Sequence, residues 1–146
     1  MGFRLLNTGE FKARLGSSTR IAKEGGAAAL KEISAEIKEA SQDRAPEKSG
    51  NLVDAHYYRK TVDDGGRVAY EVGVNEAEAP YALRMHEGID GGPYNLGKKS
   101  KDKNAGMTPH VGEGVGWKYL ERAFNAKYRA ALKKLEQALG KVFKAT

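Results

Sequence analysis

Trp117, Leu120, Phe124, Tyr128, Ala131, Leu135, Ala138 and Val142 recur at steps of three or four residues, the spacing that puts side chains on one face of an α-helix. Kept up for about seven turns, this pattern predicts one long C-terminal helix with a single apolar stripe. Such a stripe has to be buried against a second layer, so the rest of the chain must supply one.

A second helix is predicted over residues 21–44. Leu30, Ile33, Ile37 and Ala40 share one face, while Lys31, Glu32, Glu36, Lys38 and Glu39 occupy the remainder. Gly25-Gly26 allows a kink or a later start. Pro46 sets the end, because the residue before a proline is pushed out of helical geometry. Strand-like sequence follows at 55–62 and at 67–74, where Val68, Tyr70, Val72 and Val74 alternate. Asp63-Asp64-Gly65-Gly66 between them tolerates positive φ, so the two strands read as a β-hairpin. The alternating face, Val68 to Val74, is expected to pack on the first helix. A short helix or turn is expected over residues 80–87.

Residues 88–116 read differently. They hold eight glycines, two prolines and Lys98-Lys99-Ser100-Lys101-Asp102-Lys103-Asn104, with hardly any apolar periodicity. Connections longer than about 12–15 residues are uncommon inside domains and are usually functional or disordered, so a mobile arm is expected here. The reading is therefore one α+β domain over residues 1–146: a long N-terminal helix, a small antiparallel β-sheet, a long Gly/Lys-rich loop and a long C-terminal helix.

Composition narrows the function. The chain has 146 residues, 40% hydrophobic and 30% charged, which fits a folded domain and not a disordered chain or a membrane protein. No apolar run approaches the roughly 20 residues of a membrane span. Met1-Gly2-Phe3-Arg4-Leu5-Leu6 lacks both the apolar stretch and the cleavage site of a signal peptide, and Leu6 stands where a myristoylation motif needs Ser or Thr. Cysteine is absent, which removes disulfides, thiolate metal sites and Cys nucleophiles and suits a chain made in a reducing cytoplasm. The net charge is +6. From residue 116 onward eight basic residues face only Glu121 and Glu136, so the whole excess lies in the last segment. A basic stripe of this kind is either a solvated helix face or a surface for nucleic acid, membrane or an acidic protein.

No catalytic set emerges. Gly92-Pro93-Tyr94-Asn95-Leu96-Gly97-Lys98-Lys99 approaches a phosphate-binding loop, but Lys99 stands where the magnesium-binding hydroxyl belongs. Neither a buried strand before it nor a periodic helix after it is expected. Gly112, Gly114 and Gly116 lack the strand that a dinucleotide fold requires. His56, His86 and His110 do not have metal-motif spacing. His86-Glu87 could pair as base and orienting acid, yet no nucleophile matches them. Turn chemistry already accounts for Asp63-Asp64. No cofactor, metal or enzymatic activity is expected.

Three segments, in order, carry a resemblance: Arg44-Ala45-Pro46-Glu47-Lys48-Ser49-Gly50-Asn51-Leu52, Tyr81-Ala82-Leu83-Arg84-Met85-His86-Glu87-Gly88 and Trp117-Lys118-Tyr119-Leu120-Glu121-Arg122-Ala123-Phe124. The chain resembles the head–tail joining, or tail-completion, neck proteins of long-tailed phages over about residues 20–145. That family shares an Ala-Pro-x-x-Ser/Thr-Gly-x-Leu step, a Tyr-Ala segment running to an acid and Gly, and an aromatic-Leu-x-x-Ala start to its final helix. The common form places Glu where His86 stands here, and the Gly/Lys-rich loop is longer than typical.

The resemblance implies a structural virion protein, made in the host bacterial cytoplasm, that forms a ring of six copies at the head–tail junction. Its partners would be copies of itself, a portal-side adaptor or stopper, and a tail terminator or tube, with no membrane. Tyr81, His86 and Glu87 are candidate interface residues at the mouth of the loop; Lys98, Lys99, Lys101, Lys103, Lys133 and Lys134 are candidates for contact with a neighbour or with phage DNA. Pro46 and Gly50 read as fold-determining turn residues. The competing reading is a basic nucleic-acid-binding protein that uses the C-terminal helix and the lysine-rich loop, although no recognised reader motif is present.

Overall fold

The computed structural model describes residues 2–5, 11–14, 20–64, 67–88, 96–105 and 114–144. Helix α1 (Arg20–Arg44) begins one residue before the predicted start and ends at the predicted end. Leu30, Ile33, Ile37 and Ala40 are all buried, as their spacing requires. Beyond Arg44 the amide of Ala45 still bonds the Ser41 carbonyl at 2.9 Å, and Pro46 then halts the helix. Gly50 turns the chain with φ +91° and leads into the single turn α2 (Asn51–Asp54). Only glycine adopts that conformation without strain. The turn returns Leu52 to the core.

Strands β3 (His56–Asp64) and β4 (Arg67–Val74) form the expected antiparallel hairpin, paired from His56↔Val74 to Asp64↔Arg67. Between Lys60 and Val62 the register slips, so Thr61 makes a bulge. Two short strands were not foreseen: β1 (Gly2–Leu5) and β2 (Phe11–Arg14) precede α1. They extend the hairpin to a four-stranded antiparallel sheet of order β1-β2-β4-β3. β4 is thus an interior strand.

Val68, Tyr70, Val72 and Val74 are buried, and α1 packs on both the sheet and helix α5 (Tyr119–Lys144). Leu120, Phe124 and Ala131 of α5 join the same core cluster. Each Leu or Ile enclosed this way is worth about 1.5–3 kcal/mol. The opposite face of β4 is buried too, at Ala69, Glu71 and Gly73. There the Tyr57 hydroxyl donates to the Glu71 carboxylate, which Arg59 also meets at 2.9 Å. Tyr57 crosses Gly73 so closely that a Cβ there would lie 2.8 Å from its hydroxyl.

Residues 88–116 depart from the expectation of an arm without regular structure. Helix α4 (Lys98–Ala105) forms within them, Ser100 and Val115 are buried, and the Gly116 amide bonds the Arg44 carbonyl at 2.9 Å. Residues 89–95 and 106–113, where the rest of that expectation falls, lie outside the described residues. A helix α3 (Ala82–Glu87) fills the short element expected before them.

Candidate functional site

A cleft of about 820 Å³ opens where three stretches meet: residues 46–52, Tyr81 at the start of α3 with Met85 within it, and residues 96–100. The turn that follows Pro46 supplies the first, α3 the second and the start of α4 the third. Tyr81, 42% exposed, is the exposed large hydrophobic side chain among the described residues. Leu52 is almost wholly buried. Lys48, Lys98 and Lys99 are exposed around the cleft, and Glu47 is half-buried.

One wall of this cleft is attached in an unusual way. From Lys98 to Lys103 the helix α4 carries no apolar side chain. Its inward residues are Ser100 and Lys103. The Ser100 hydroxyl accepts from the Glu47 amide at 2.8 Å and donates to the Glu47 carbonyl at 3.2 Å. The Lys103 ammonium donates to the Ala45 carbonyl at 3.1 Å and also to the Gln42 carbonyl. It therefore caps carbonyls at the C-terminal end of α1, where the helix dipole favours a cation. Burial pulls the Lys103 pKa below its ordinary value, although Glu47 and Asp43 oppose that shift.

Behind the cleft, α3 is locked to the start of α5. Tyr119 is wholly enclosed and its hydroxyl donates to the Ala82 carbonyl at 2.9 Å. The His86 ring meets Tyr119 edge-on at 5.0 Å, and the His56 ring lies 5.6 Å from the same tyrosine. Pairs of this geometry are worth about 0.5–1.5 kcal/mol beyond their area. His86 Nδ1 lies 2.8 Å from the Glu87 carboxylate, and the Glu121 amide approaches Nε2 at 3.5 Å. Desolvation alone would raise the Glu87 pKa, but the hydrogen bonds from Lys118 and His86 bring it below the ordinary value. His86 itself is held below its ordinary value by burial.

The HK97-gp10-like family model, described as "Bacteriophage HK97-gp10, putative tail-component", matches residues 9–122. The match takes in the cleft, both helices that frame it and the histidine–tyrosine junction. The chain belongs to this family of phage tail components. No curated protein and no solved structure gives a significant match. Two of the three sequence segments that carry the resemblance to head–tail joining proteins fall entirely within the match, and the third falls within it up to Arg122.

In this HK97-gp10-like chain the candidate residues divide into two groups. Tyr81, Lys98, Lys99, Lys101 and Lys133 are exposed, and the first three border the cleft. His86 is not at a surface: with 1% exposure it belongs to the core, which corrects its reading as an interface side chain. The i, i+4 spacing to buried Ala82 put it on the inward face of α3. Glu87 is half-exposed but paired with Lys118 at 2.6 Å. Lys103 is turned inward, and Lys134 bridges to Glu32 at 3.2 Å and to Glu36. Pro46 lies two residues past the end of α1, and Gly50, with φ +91°, immediately precedes α2. Arg122 of the basic stripe donates to the carbonyls of Trp117 at 2.9 Å and Gly114 at 2.8 Å. The stripe is therefore partly consumed within the subunit.

Sequence reading missed Ser100 and Tyr119. Tyr119 stands one place before Leu120, widening the stripe in a way that spacing could have flagged. Nothing local marks Ser100 inside a run of lysines. Among the described residues no helix is long and apolar enough to cross a membrane, and no group of three His, Cys, Asp or Glu side chains could hold a metal ion.

Proposed function

We propose that this tail-component protein is non-enzymatic and acts in the virion at the head–tail junction, where six copies close into a ring between a portal-side adaptor or stopper and the tail terminator or tube. The observation that carries this reading is the family match across residues 9–122, together with the ordered Ala-Pro-x-x-Ser-Gly-x-Leu, Tyr-Ala and aromatic-Leu-x-x-Ala segments inside or beside it. The fold supports it physically. The first two of those segments supply two walls of the cleft, the second and third meet at the His86–Tyr119 junction, and a head-to-tail ring closes only if the rotation per subunit is right.

The nucleic-acid reading is the weaker one. Lys103, Lys118, Arg122 and Lys134 are all engaged inside the subunit, so fewer cations remain for phosphates than the charge count implied. A phage deleted for this protein is expected to accumulate unjoined heads and tails under the electron microscope, with joining restored by the supplied chain. Normal infectious particles from the deletion would overturn the proposal.

A further inference from the structure

We infer that the cleft between the Pro46 turn, α3 and α4 is a docking site for an extended peptide segment of another protein, one that carries a bulky apolar side chain flanked by acidic residues. The inference deepens the assembly reading and rests on it for the partner's setting, but its chemistry comes from the cleft. Its floor is the buried Pro46 and Leu52, its accessible apolar surface comes from the half-buried Met85 and Leu96, and Tyr81 stands half out at the mouth. About 820 Å³ is within the range of sites that enclose a ligand, and an aromatic at the edge of an apolar recess is the usual composition of a binding anchor. Around that recess stand Lys48, Lys98 and Lys99, with Glu47 the acid of the lining and Asp102 3.9 Å from Lys98 one turn along α4. The surface is thus complementary to an apolar residue with acids on either side.

Nucleic acid fits this cleft less well. A phosphate backbone would satisfy the lysines but leave the half-buried Met85 and Leu96 and the exposed Tyr81 uncovered. The α4 wall adds a second argument for a peptide. It is fixed by Ser100 and Lys103 through hydrogen bonds to backbone atoms of residues 42–47, with no apolar side chain of residues 98–103 to seat it. Hydrogen bonds of this kind contribute modestly to stability, so the wall can shift against an entering segment while the core stays intact.

The test is selection of displayed random peptides on the intact chain, followed by affinity measurement on purified variants. Enriched peptides are expected to share a Phe, Leu or Trp flanked by Asp or Glu. Their affinity should fall at least about tenfold in Lys98→Glu/Lys99→Glu and in Tyr81→Ala, and stay unchanged in Lys133→Glu. All these side chains are exposed, so the variants keep the fold, and circular dichroism checks that they do. Failure to enrich such a pattern, equal binding to the cleft variants, or displacement of the peptides by a short DNA duplex overturns the inference. Enrichment alongside normal particles from the deletion phage would sink the neck role alone. Unjoined particles without enrichment would sink the docking site alone.

Discussion

The two long helices and the short helix α4 are attached to the same domain by opposite means. α1 and α5 meet through Leu30, Ile33, Ile37, Leu120 and Phe124, all buried, with an ion-paired fringe at Lys134. α4 has no apolar side chain over residues 98–103, where Ser100 and Lys103 attach it by hydrogen bonds. Apolar burial scales with area and cannot be undone piecemeal. Polar attachment exchanges protein partners for water at small net gain. The long pair is therefore the scaffold, and α4 is the more weakly attached element.

The sharpest way to break that contrast is a truncation at the scaffold. Leu120→Ala deletes an almost fully enclosed side chain and is expected to cost about 3–4 kcal/mol, lowering the denaturant midpoint for every probe together. A loss confined to the region around α5 would show that the long helices are not one cooperative unit.

Acid tests the same scaffold through His56. Its ring lies between Ser41 of α1 at 2.8 Å and the Leu52 carbonyl at 2.8 Å, and burial lowers its pKa to about 4, with Lys103 and Lys38 adding to the shift. The unfolded chain binds the proton more readily, so this contribution is complete above about pH 6.5 and is lost as pH falls toward 4. The loss is about 3 kcal/mol. Denaturation at stepped pH checks it, and His56→Gln should flatten the His56 part of that slope. A slope unchanged in the variant would assign the acid sensitivity to other groups.

Ser100→Ala probes the weaker attachment. It removes both hydrogen bonds to the Glu47 backbone and is expected to cost about 1 kcal/mol. Amide exchange should rise in α4 while the α1 and α5 amides keep their protection. A global loss matching Leu120→Ala would erase the distinction between scaffold and cleft wall.

Much of the scaffold was legible locally. The apolar spacing of residues 30–40 and the Pro46 stop fixed α1 to within one residue, and the alternation of Val68 to Val74 with Asp63-Asp64-Gly65-Gly66 gave the hairpin. β1 and β2 were not legible, because four-residue strands offer too little alternation, β2 exists through pairing with β4 some sixty residues away, and β1 in turn pairs with β2. α4 was not legible for a related reason: its sequence has no apolar period, and its partners, Gln42, Ala45 and Glu47, lie more than fifty residues earlier. At the candidate site, the position of Tyr81 at the loop mouth could be read from sequence, whereas the inward fate of His86 depended on a spacing to Ala82 that the neighbouring Glu87 obscured.

The sequence by itself determined the two long helices, the hairpin, the turns at Pro46 and residues 63–66, and the inward face of each of those elements. Those properties follow from periodicity and backbone restriction within a few residues. Tertiary structure alone decided that the sheet has four strands, that Lys103, Arg122 and Lys134 bind inside the subunit, and that three distant segments enclose one cleft. Charge and hydrogen-bonding capacity are written in each residue, but the partner that uses them is set by what the fold brings within about 3 Å.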